Sequence, residues 1–271
     1  MDLFEELQDL MIKYHFRPSK KLSQFYCTNE ALLRFLTSKA KITDKDIVLE
    51  IGPGTGFLTK FLLEKGKVVA VEKDEIMIEL LQEKFASEIK SGKLKLIEGD
   101  AMFQDYEKLG ITKVVSLPPY HLSSELMLKV TLSKSIKKAV IVFDTGFVEK
   151  LTAFEGMREY NALTVLVNLN ANVEVLETID KASFYPQPNC QSVVVLVDYD
   201  RVQDSEKFYL FLKEIFRHKN KDLIRSLNQS EPNLVEAKLI KKTNYEKLEH
   251  ISKKVYALTV DELHETFEDL N

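Results

Sequence analysis

The sequence predicts an α/β protein: a Rossmann-like, mainly parallel sheet of seven strands with an antiparallel edge, followed by a small all-α C-terminal domain. Three observations support this fold class. Short apolar strands alternate with helical patterns from residue 46 to about residue 144, as right-handed crossovers in a doubly wound sheet require. The stretch DIVLEIGPGTG, residues 46–56, joins a buried strand to a glycine loop and a helix. After residue 171 two β-rich segments precede a run of helices.

The expected elements follow in order along the chain. Apolar residues at helical spacing predict an amphipathic helix over the first fifteen residues, and a basic extended segment then leads to a helix capped near Thr28 or Asn29. Strands are expected at residues 47–51, 68–71, 94–97, 113–116 and 140–143, with helices near 56–65, 74–90 and 123–132. The segments 173–179 and 193–199 are expected to form an antiparallel pair at the sheet edge. A composition shift at about residue 202 predicts a domain boundary.

Composition limits the possible functions. A net charge of −4 and a pI near 5.9 do not indicate a general nucleic-acid binder, so any such surface must be local. Two cysteines without a CxxC pair and five histidines without ligand spacing predict a reducing compartment and a site without metal. The acidic N-terminus and the lack of an apolar run of 18 residues predict a soluble, cytoplasmic protein.

Three successive strand ends carry residues that suit a nucleoside cofactor. Gly52 and Gly54 follow the first strand, Glu72 ends the second, and Asp100 follows the third. Glycines allow close backbone approach to a ligand, and a carboxylate at a strand end can accept hydrogen bonds from ribose hydroxyls or an adenine amine. A tight turn without ligand would also need the glycines, but the two acidic strand ends favour the cofactor. Glu50 would repel a pyrophosphate and attract a cation, which favours S-adenosylmethionine over a dinucleotide.

The fourth strand runs into Leu117-Pro118-Pro119-Tyr120. Methylation of an exocyclic amine requires an aromatic face for the base and acceptors for the amine hydrogens, which free the nitrogen lone pair for attack. A Pro-Pro-aromatic turn at this place therefore indicates amine methylation. The alternative is a purely structural proline turn.

Several longer motifs resemble a known family. EIGPGTG, VEKD and EGDA resemble motifs one to three of class I S-adenosylmethionine-dependent methyltransferases. KKLSQFYCTN, FEGMREYNALTV, SFYPQPNCQSVVV and IFRHKNKDLIRSL resemble segments of the KsgA family of ribosomal RNA adenine N6-dimethyltransferases, which is related to the Erm enzymes and the mitochondrial transcription factor B proteins. The resemblance runs through nearly the whole chain.

The resemblance implies an activity, partners and a domain division. The enzyme would dimethylate adjacent adenines near the 3′ end of small-subunit rRNA, with a role in ribosome biogenesis. Its partner would be this rRNA or a pre-30S-type particle; we expect a monomer without membrane or metal. Residues 1–202 would form the methyltransferase domain, with 1–45 as its helical cap and leading segment, and residues 203–271 a helical RNA-binding domain.

Matching positions carry over the family's functional residues. The implied cofactor-binding residues are Gln24, Glu50, Gly52, Gly54, Glu72, Lys73, Asp100, Ala101 and Ser116. The implied catalytic positions are Leu117, Pro118, Tyr120 and Phe184, with the two aromatic rings holding a flipped adenine between them.

Basic residues predict two local RNA surfaces. Arg17, Lys20 and Lys21 lie close in sequence to the expected mouth of the site. Arg217, Lys221 and Arg225 fall at helical spacing and predict a stripe on one helix, although any solvated helix face can carry such a stripe.

Departures from the family pattern leave a second reading open. Leu117 stands where the family has the acceptor Asn, so the Pro118 carbonyl would remain as one acceptor, and Ser116 or His121 could supply another. Other departures are Ser23, Asp144, Gly146, Asn161 and Ala162. The second reading is a weak or inactive homologue that serves as a small-subunit assembly or RNA-binding factor. A third, a transcription factor, rests on family relationship alone.

Overall fold

The computed structural model describes residues 2–19, 24–201, 205–241 and 245–271. These residues form two compact units. The first unit comprises Met1–Phe147 and Val173–Tyr199, and the second comprises Val148–Asn172 and Asp200–Asn271. Val148–Asn172 thus groups with the C-terminal helices, whereas the sequence division near residue 202 places it in the first domain.

The strands build a seven-stranded sheet and a two-stranded ladder. They are β1 Tyr26–Cys27, β2 Ile47–Ile51, β3 Lys67–Glu72, β4 Leu94–Glu98, β5 Lys113–Ser116, β6 Lys138–Asp144, β7 Ala171–Ile179, β8 Phe184–Tyr185 and β9 Ser192–Tyr199. The large sheet has the order β4-β3-β2-β5-β6-β9-β7. Neighbours from β4 to β6 are parallel, and β9 is antiparallel to β6. The predicted fold class is confirmed.

Helices occupy the connections of the sheet and most of the second unit. They are α1 Leu3–Lys13, α2 Glu30–Lys39, α3 Phe57–Leu63, α4 Glu75–Lys84, α5 Ala86–Lys90, α6 Ser123–Leu132, α7 Thr145–Leu151, α8 Ala162–Asn170, α9 Ser205–Phe216, α10 Leu223–Glu236 and α11 Val260–Leu270. The prediction of one continuous helix over residues 74–90 is wrong. Phe85 leaves the helical conformation between α4 and α5, and its ring packs against Gly56 at the end of the glycine loop.

Side-chain caps fix several helix starts. Asn29 accepts a hydrogen bond from the Leu32 N–H, so it is Asn29 rather than Thr28 that caps α2. Asn161 accepts from the N–H groups of Leu163 and Thr164 at the start of α8. This cap gives the departure from the family pattern at Asn161 a structural role.

The ladder of β1 and β8 was not expected from the sequence, because strands of two residues carry no periodicity. Tyr26 pairs with Tyr185, and Cys27 pairs with Phe184, in antiparallel register. The Thr28 N–H also donates to the Ser183 carbonyl over 2.9 Å. The ladder fixes the chain at Tyr26, directly after the segment that leads to the predicted site.

The core of the second unit is aromatic. The rings of Phe208 and Phe211 both pack on Phe267, with centroid distances of 5.4 and 5.3 Å, and all three are buried. These buried ring contacts join α9 to α11. Among the residues that the structure describes, no helix is both long and apolar enough to cross a membrane.

Candidate active site

A cavity of about 470 Å³ opens at the carboxyl ends of β2, β3 and β4 in the first unit. In an open parallel sheet this edge is the usual place for a ligand. The predicted cofactor residues that line the cavity are Gln24, Glu50, Gly52, Gly54, Glu72, Lys73, Asp100 and Ala101. The three strand ends therefore meet in one site, as the sequence predicts.

The glycine loop needs its glycines for shape as well as for ligand access. Gly52 and Gly54 have φ of +63° and +55°, in the left-handed region that other residues rarely adopt. A Cβ on Gly54 would lie 2.9 Å from Cε1 of Tyr26. Tyr26 lines the cavity beside the loop, so the site is closed on this side by the residue that begins β1.

Glu72 at the end of β3 organises the glycine loop. Its Oε2 accepts a hydrogen bond from the Gly54 N–H over 3.1 Å. Its Oε1 accepts from the N–H groups of Lys73 and Asp74 over 2.8 and 3.0 Å. Backbone donors thus hold the carboxylate in the cavity wall, where it can accept from ribose hydroxyls.

We expect Glu72→Ala to weaken S-adenosylmethionine binding about 5- to 150-fold, because it removes the ribose acceptor and releases the Gly54 amide, at a cost of about 1 to 3 kcal/mol. Calorimetric titration measures the effect. Glu98→Ala is the matched control, since Glu98 pairs with Glu72 in register on β4 but does not line the cavity. Equal affinities for the two variants would remove Glu72 from the cofactor site.

Asp100 is held from two sides. Its Oδ1 accepts the Met102 N–H over 2.8 Å, and its Oδ2 lies 2.6 Å from the Lys73 ammonium. Burial by itself would raise the pKa of Asp100, but the hydrogen bonds from Lys73 and Met102 bring it below the ordinary value. The residue is therefore an ionised acceptor at the third strand end, where an adenine amine can reach it.

Gln24 connects the segment before β1 to the cavity rim. Its Nε2 donates to Asp74 Oδ2 over 3.3 Å, and its Oε1 accepts the Ser19 N–H over 2.9 Å. Asp74 in turn caps α4 by accepting the Ile76 N–H. Gln24 thus connects Ser19 to Asp74, which also lines the cavity.

Glu50 is the most deeply buried acid of the site, with 2% of its surface exposed. It accepts a hydrogen bond from Thr59 Oγ1 over 2.6 Å. Burial raises the pKa of Glu50 to about 8. Without a cation beside it Glu50 is therefore neutral at pH 7, and a cationic ligand group would favour its carboxylate form.

The raised pKa of Glu50 makes the stability of the ligand-free protein pH-dependent. The folded protein holds the proton of Glu50 more tightly than the unfolded chain does, so protonation of this carboxyl favours folding. This contribution to the free energy of unfolding is fully present below the ordinary pKa of 4.5, and it is lost as the pH rises towards 8. The slope for one such group reaches about 1.4 kcal/mol per pH unit. We expect Glu50→Gln to flatten the decline in melting temperature between pH 5 and 8. Parallel curves for parent and variant would contradict a neutral Glu50.

The Pro-Pro-Tyr turn lies at the rim of the same cavity. Leu117, Pro119 and His121 line the cavity, whereas Pro118 is buried beside it. Within the described ranges, no backbone N–H donates to the Pro118 carbonyl, while the Pro119 carbonyl accepts the Leu122 N–H. The Pro118 carbonyl thus remains the predicted acceptor.

Ser116 does not take the roles predicted for it. Its hydroxyl donates to the Ile51 carbonyl over 2.7 Å and accepts the Ile51 N–H over 3.3 Å. The side chain is fully buried between β5 and β2 and does not line the cavity. The Ser116 hydroxyl therefore links β5 to β2. Ser116 and His121 were the two candidates for replacing the missing Asn, and of these His121 lines the cavity.

Tyr120 is held by a hydrogen bond between its hydroxyl and Ser192 Oγ. Burial raises the pKa of Tyr120 to about 12, so the hydroxyl stays protonated. The ring stacked on Tyr120 is that of Phe25, with centroids 5.7 Å apart and planes 29° apart. Phe184, predicted as the second face for the base, is instead 4% exposed and belongs to the hydrophobic core. In this structure the ring against Tyr120 is therefore that of Phe25, and a role for Phe184 in holding the base stays a prediction.

Comparison with known proteins settles the family. The model of the family described as "Ribosomal RNA adenine dimethylase" matches residues 15–266. The chain belongs to this family. Membership confirms the resemblance found in the sequence and the predicted class of enzyme, an S-adenosylmethionine-dependent rRNA adenine dimethyltransferase.

Individual relatives agree with the family assignment. The chain is 32% identical over 264 residues to the "Probable ribosomal RNA small subunit methyltransferase A" of Thermococcus gammatolerans, covering 96% of this chain and 91% of the relative. It is similar to the crystal structure of a dimethyladenosine transferase from Plasmodium falciparum, with a TM-score of 0.73, 27% identity and coverage of 90% and 97%. The 23S rRNA methyltransferase ErmE shares the fold, with a TM-score of 0.65, 20% identity and coverage of 90% and 99%.

The basic residues of this dimethylase are arranged differently from the prediction. Arg217 and Lys221 lie between α9, which ends at Phe216, and α10, which begins at Leu223, so only Arg225 is helical. The predicted stripe on one helix is therefore wrong, because residues 217–222 form turns closed by backbone hydrogen bonds.

The basic side chains differ in their partners. Arg217 pairs with Glu214 at 3.1 Å, and Lys221 donates to Gln229. Arg17 is exposed in the first unit, while Lys20 and Lys21 lie outside the described residues.

Sequence reasoning missed four residues of the site. Thr59 holds Glu50, Ser192 holds Tyr120, Tyr26 packs on the glycine loop, and Phe25 covers Tyr120. Phe25, Tyr26 and Ser192 lie inside the family-like segments KKLSQFYCTN and SFYPQPNCQSVVV, and this location is the feature of the sequence that could have indicated them. Thr59 follows the glycine loop on the first turn of α3, where its hydroxyl faces β2.

Proposed function

We propose that the chain methylates N6 of two adjacent adenines near the 3′ end of small-subunit rRNA, using S-adenosylmethionine. One observation carries the proposal: acidic side chains at three strand ends converge on a cavity whose rim is the Pro-Pro-Tyr turn. A cavity of about 470 Å³ has the size of a site for a nucleoside cofactor. Glu72 suits ribose hydroxyls, Asp100 an adenine amine and Glu50 a cation.

The chain's own residues would then perform the following tasks. Tyr120 offers a ring to a base withdrawn from its stack, and the Pro118 carbonyl accepts one hydrogen of the amine. When bound, S-adenosylmethionine supplies a methyl group activated by its sulfonium. Transfer of that methyl group to N6 would leave the cofactor as its neutral thioether and would release one amine proton. Leu117 offers no second acceptor, which predicts a slower reaction than in relatives with Asn.

Transfer of labelled methyl groups to purified ribosomal subunits tests the proposal. We expect incorporation into small subunits that lack the modification and none into large subunits. Label in large subunits alone would overturn the proposed substrate, even if the cofactor binds.

Leu117 also favours a second candidate function, that of an assembly factor which binds the particle and methylates poorly. For such a protein, the Tyr120→Ala variant should bind small subunits as tightly as the parent does. In an active enzyme, removal of the Tyr120 ring should instead weaken rRNA binding. Binding of the parent and of Tyr120→Ala to small subunits, measured by sedimentation, therefore separates the enzyme from the assembly factor.

The RNA-binding role of the basic residues is part of the proposal. We expect Arg217→Glu combined with Lys221→Glu to weaken subunit binding and flatten its salt dependence, because fewer counterions are released. The matched control is Lys134→Glu with Lys137→Glu, an equal change of charge at exposed positions of the first unit. Equal salt slopes for both double variants would mean that Arg217 and Lys221 lie on an ordinary solvated surface.

We take the substrate to be a pre-30S-type particle, and we expect the protein to act as a monomer in the cytoplasm. Sedimentation of the protein alone and with precursor particles tests the first two expectations.

A further inference from the structure

Phe25 occupies a position between the cofactor cavity and the ring that is to receive the base. Its side chain lines the cavity, and its ring is stacked on Tyr120 with a centroid distance of 5.7 Å. Tyr120 itself does not line the cavity. A base lying on the face of Tyr120 that Phe25 now covers would have to displace Phe25 before its amine could reach the cofactor.

The spacing of the two rings leaves no room for a base. Stacked aromatic groups touch at about 3.5 Å, so two rings with a base between them must be about 7 Å apart. At 5.7 Å and 29° the rings of Phe25 and Tyr120 are in direct contact. One of them must move before the Tyr120 face can receive an adenine.

The surroundings indicate that Phe25 is the ring that moves. Tyr120 is fixed by its hydroxyl on Ser192 and by the hydrogen bond from Ser123 Oγ to its carbonyl, 2.7 Å long. Phe25 and Tyr120 are both half-buried, but the Phe25 ring has no polar atom that a hydrogen bond could hold, and the residue lies between two fixed points, Gln24 and the first residue of β1. Rotation of its side chain would uncover Tyr120 while the ladder of β1 and β8 stays in place.

We propose that Phe25 is a gate: its ring covers the stacking face of Tyr120 in the absence of RNA and swings away when the target adenine enters. This inference rests on the proposed function, since it takes Tyr120 as the stacking face for the base. In this role the Phe25 ring competes with the target adenine for the same face of Tyr120. The alternative, a permanent second wall that holds the base against Tyr120, predicts the opposite effect of truncation.

The test uses binding of a base rather than its methylation. The probe is a short single-stranded RNA with one 2-aminopurine, whose fluorescence is quenched when it stacks on an aromatic ring. The chain contains no tryptophan, so the probe emission is read without interference from that side chain. We expect Phe25→Ala to tighten the apparent dissociation constant of the quench about 2- to 10-fold, since a stacked ring pair contributes about that factor.

Tyr120→Ala should abolish the quench, and adding Phe25→Ala to it should change nothing, because the gate acts only through Tyr120. Phe25→Leu should give an intermediate effect, and it replaces Phe25→Ala if that variant fails to fold by circular dichroism. Unchanged or weaker probe binding by Phe25→Ala would overturn the gate.

The result also distinguishes failure of the gate from failure of the proposed activity. Tighter probe binding by Phe25→Ala together with no methyl transfer by the parent would keep the gate and reject the activity. Methyl transfer by the parent together with weaker probe binding by Phe25→Ala would keep the activity and make Phe25 a wall.

Discussion

Tyr120→Ala is expected to lower methyl transfer to small subunits about 5- to 150-fold, the effect of losing 1 to 3 kcal/mol of base stacking. The ring lies on the turn that borders the cofactor cavity, and no other aromatic ring of the described residues is stacked on it apart from Phe25. Single-turnover rates at saturating cofactor measure the effect without contributions from product release.

Tyr120→Phe is the matched control. It keeps the ring and removes only the hydrogen bond to Ser192 Oγ, so it should retain most of the rate. If the Phe and Ala variants were equally slow, the hydroxyl rather than the ring would be the functional group. Calorimetry should show unchanged S-adenosylmethionine affinity in both variants, because Tyr120 does not line the cavity.

Leu117→Asn is expected to raise the rate by about tenfold or more, since one added hydrogen bond to developing charge in a dry site contributes a few kcal/mol. Leu117 lines the cavity and is only half-buried, and Asn has a similar length with the same branching at Cγ. The amide oxygen can therefore take the place that the leucine methyl groups now occupy. The measurement is the single-turnover rate of methyl transfer.

Leu117→Ala is the control that separates the effect of adding a hydrogen-bond acceptor from the effect of removing the leucine side chain. It opens the same space without an acceptor, so it should not accelerate the reaction. An unchanged rate for Leu117→Asn in an active parent would mean that His121, which lines the cavity, already supplies the second acceptor. His121→Ala should then slow the parent.

Much of the fold was predictable because its signals are local. The strand at Ile47–Ile51, the glycine loop and the acidic ends of β3 and β4 lie in continuous stretches, and a parallel sheet brings such ends together by its geometry. Burial of β2 on both faces follows from its apolar residues Ile47, Val48, Leu49 and Ile51.

The parts that failed depend on contacts between distant segments. Phe25 and Tyr120 are far apart in sequence, and β1 meets β8 over only two residue pairs, so no local pattern marks either contact. At the break between α4 and α5, the ring of Phe85 packs on the distant Gly56. The helix expected through Arg217 and Lys221 ends at Phe216, and Asp222 forms an isolated β-bridge with the distant Lys254 before α10 begins.

The central claim is that this site methylates adenine N6 even though Leu117 replaces the acceptor Asn. Its most direct test is mass spectrometry of nucleosides from unmodified small subunits that have been incubated with the protein and S-adenosylmethionine. The claim predicts N6,N6-dimethyladenosine at two adjacent positions, formed faster by Leu117→Asn and much more slowly by Tyr120→Ala. Absence of any methylated adenosine with both the parent and Leu117→Asn, while calorimetry shows that the cofactor binds, would contradict it.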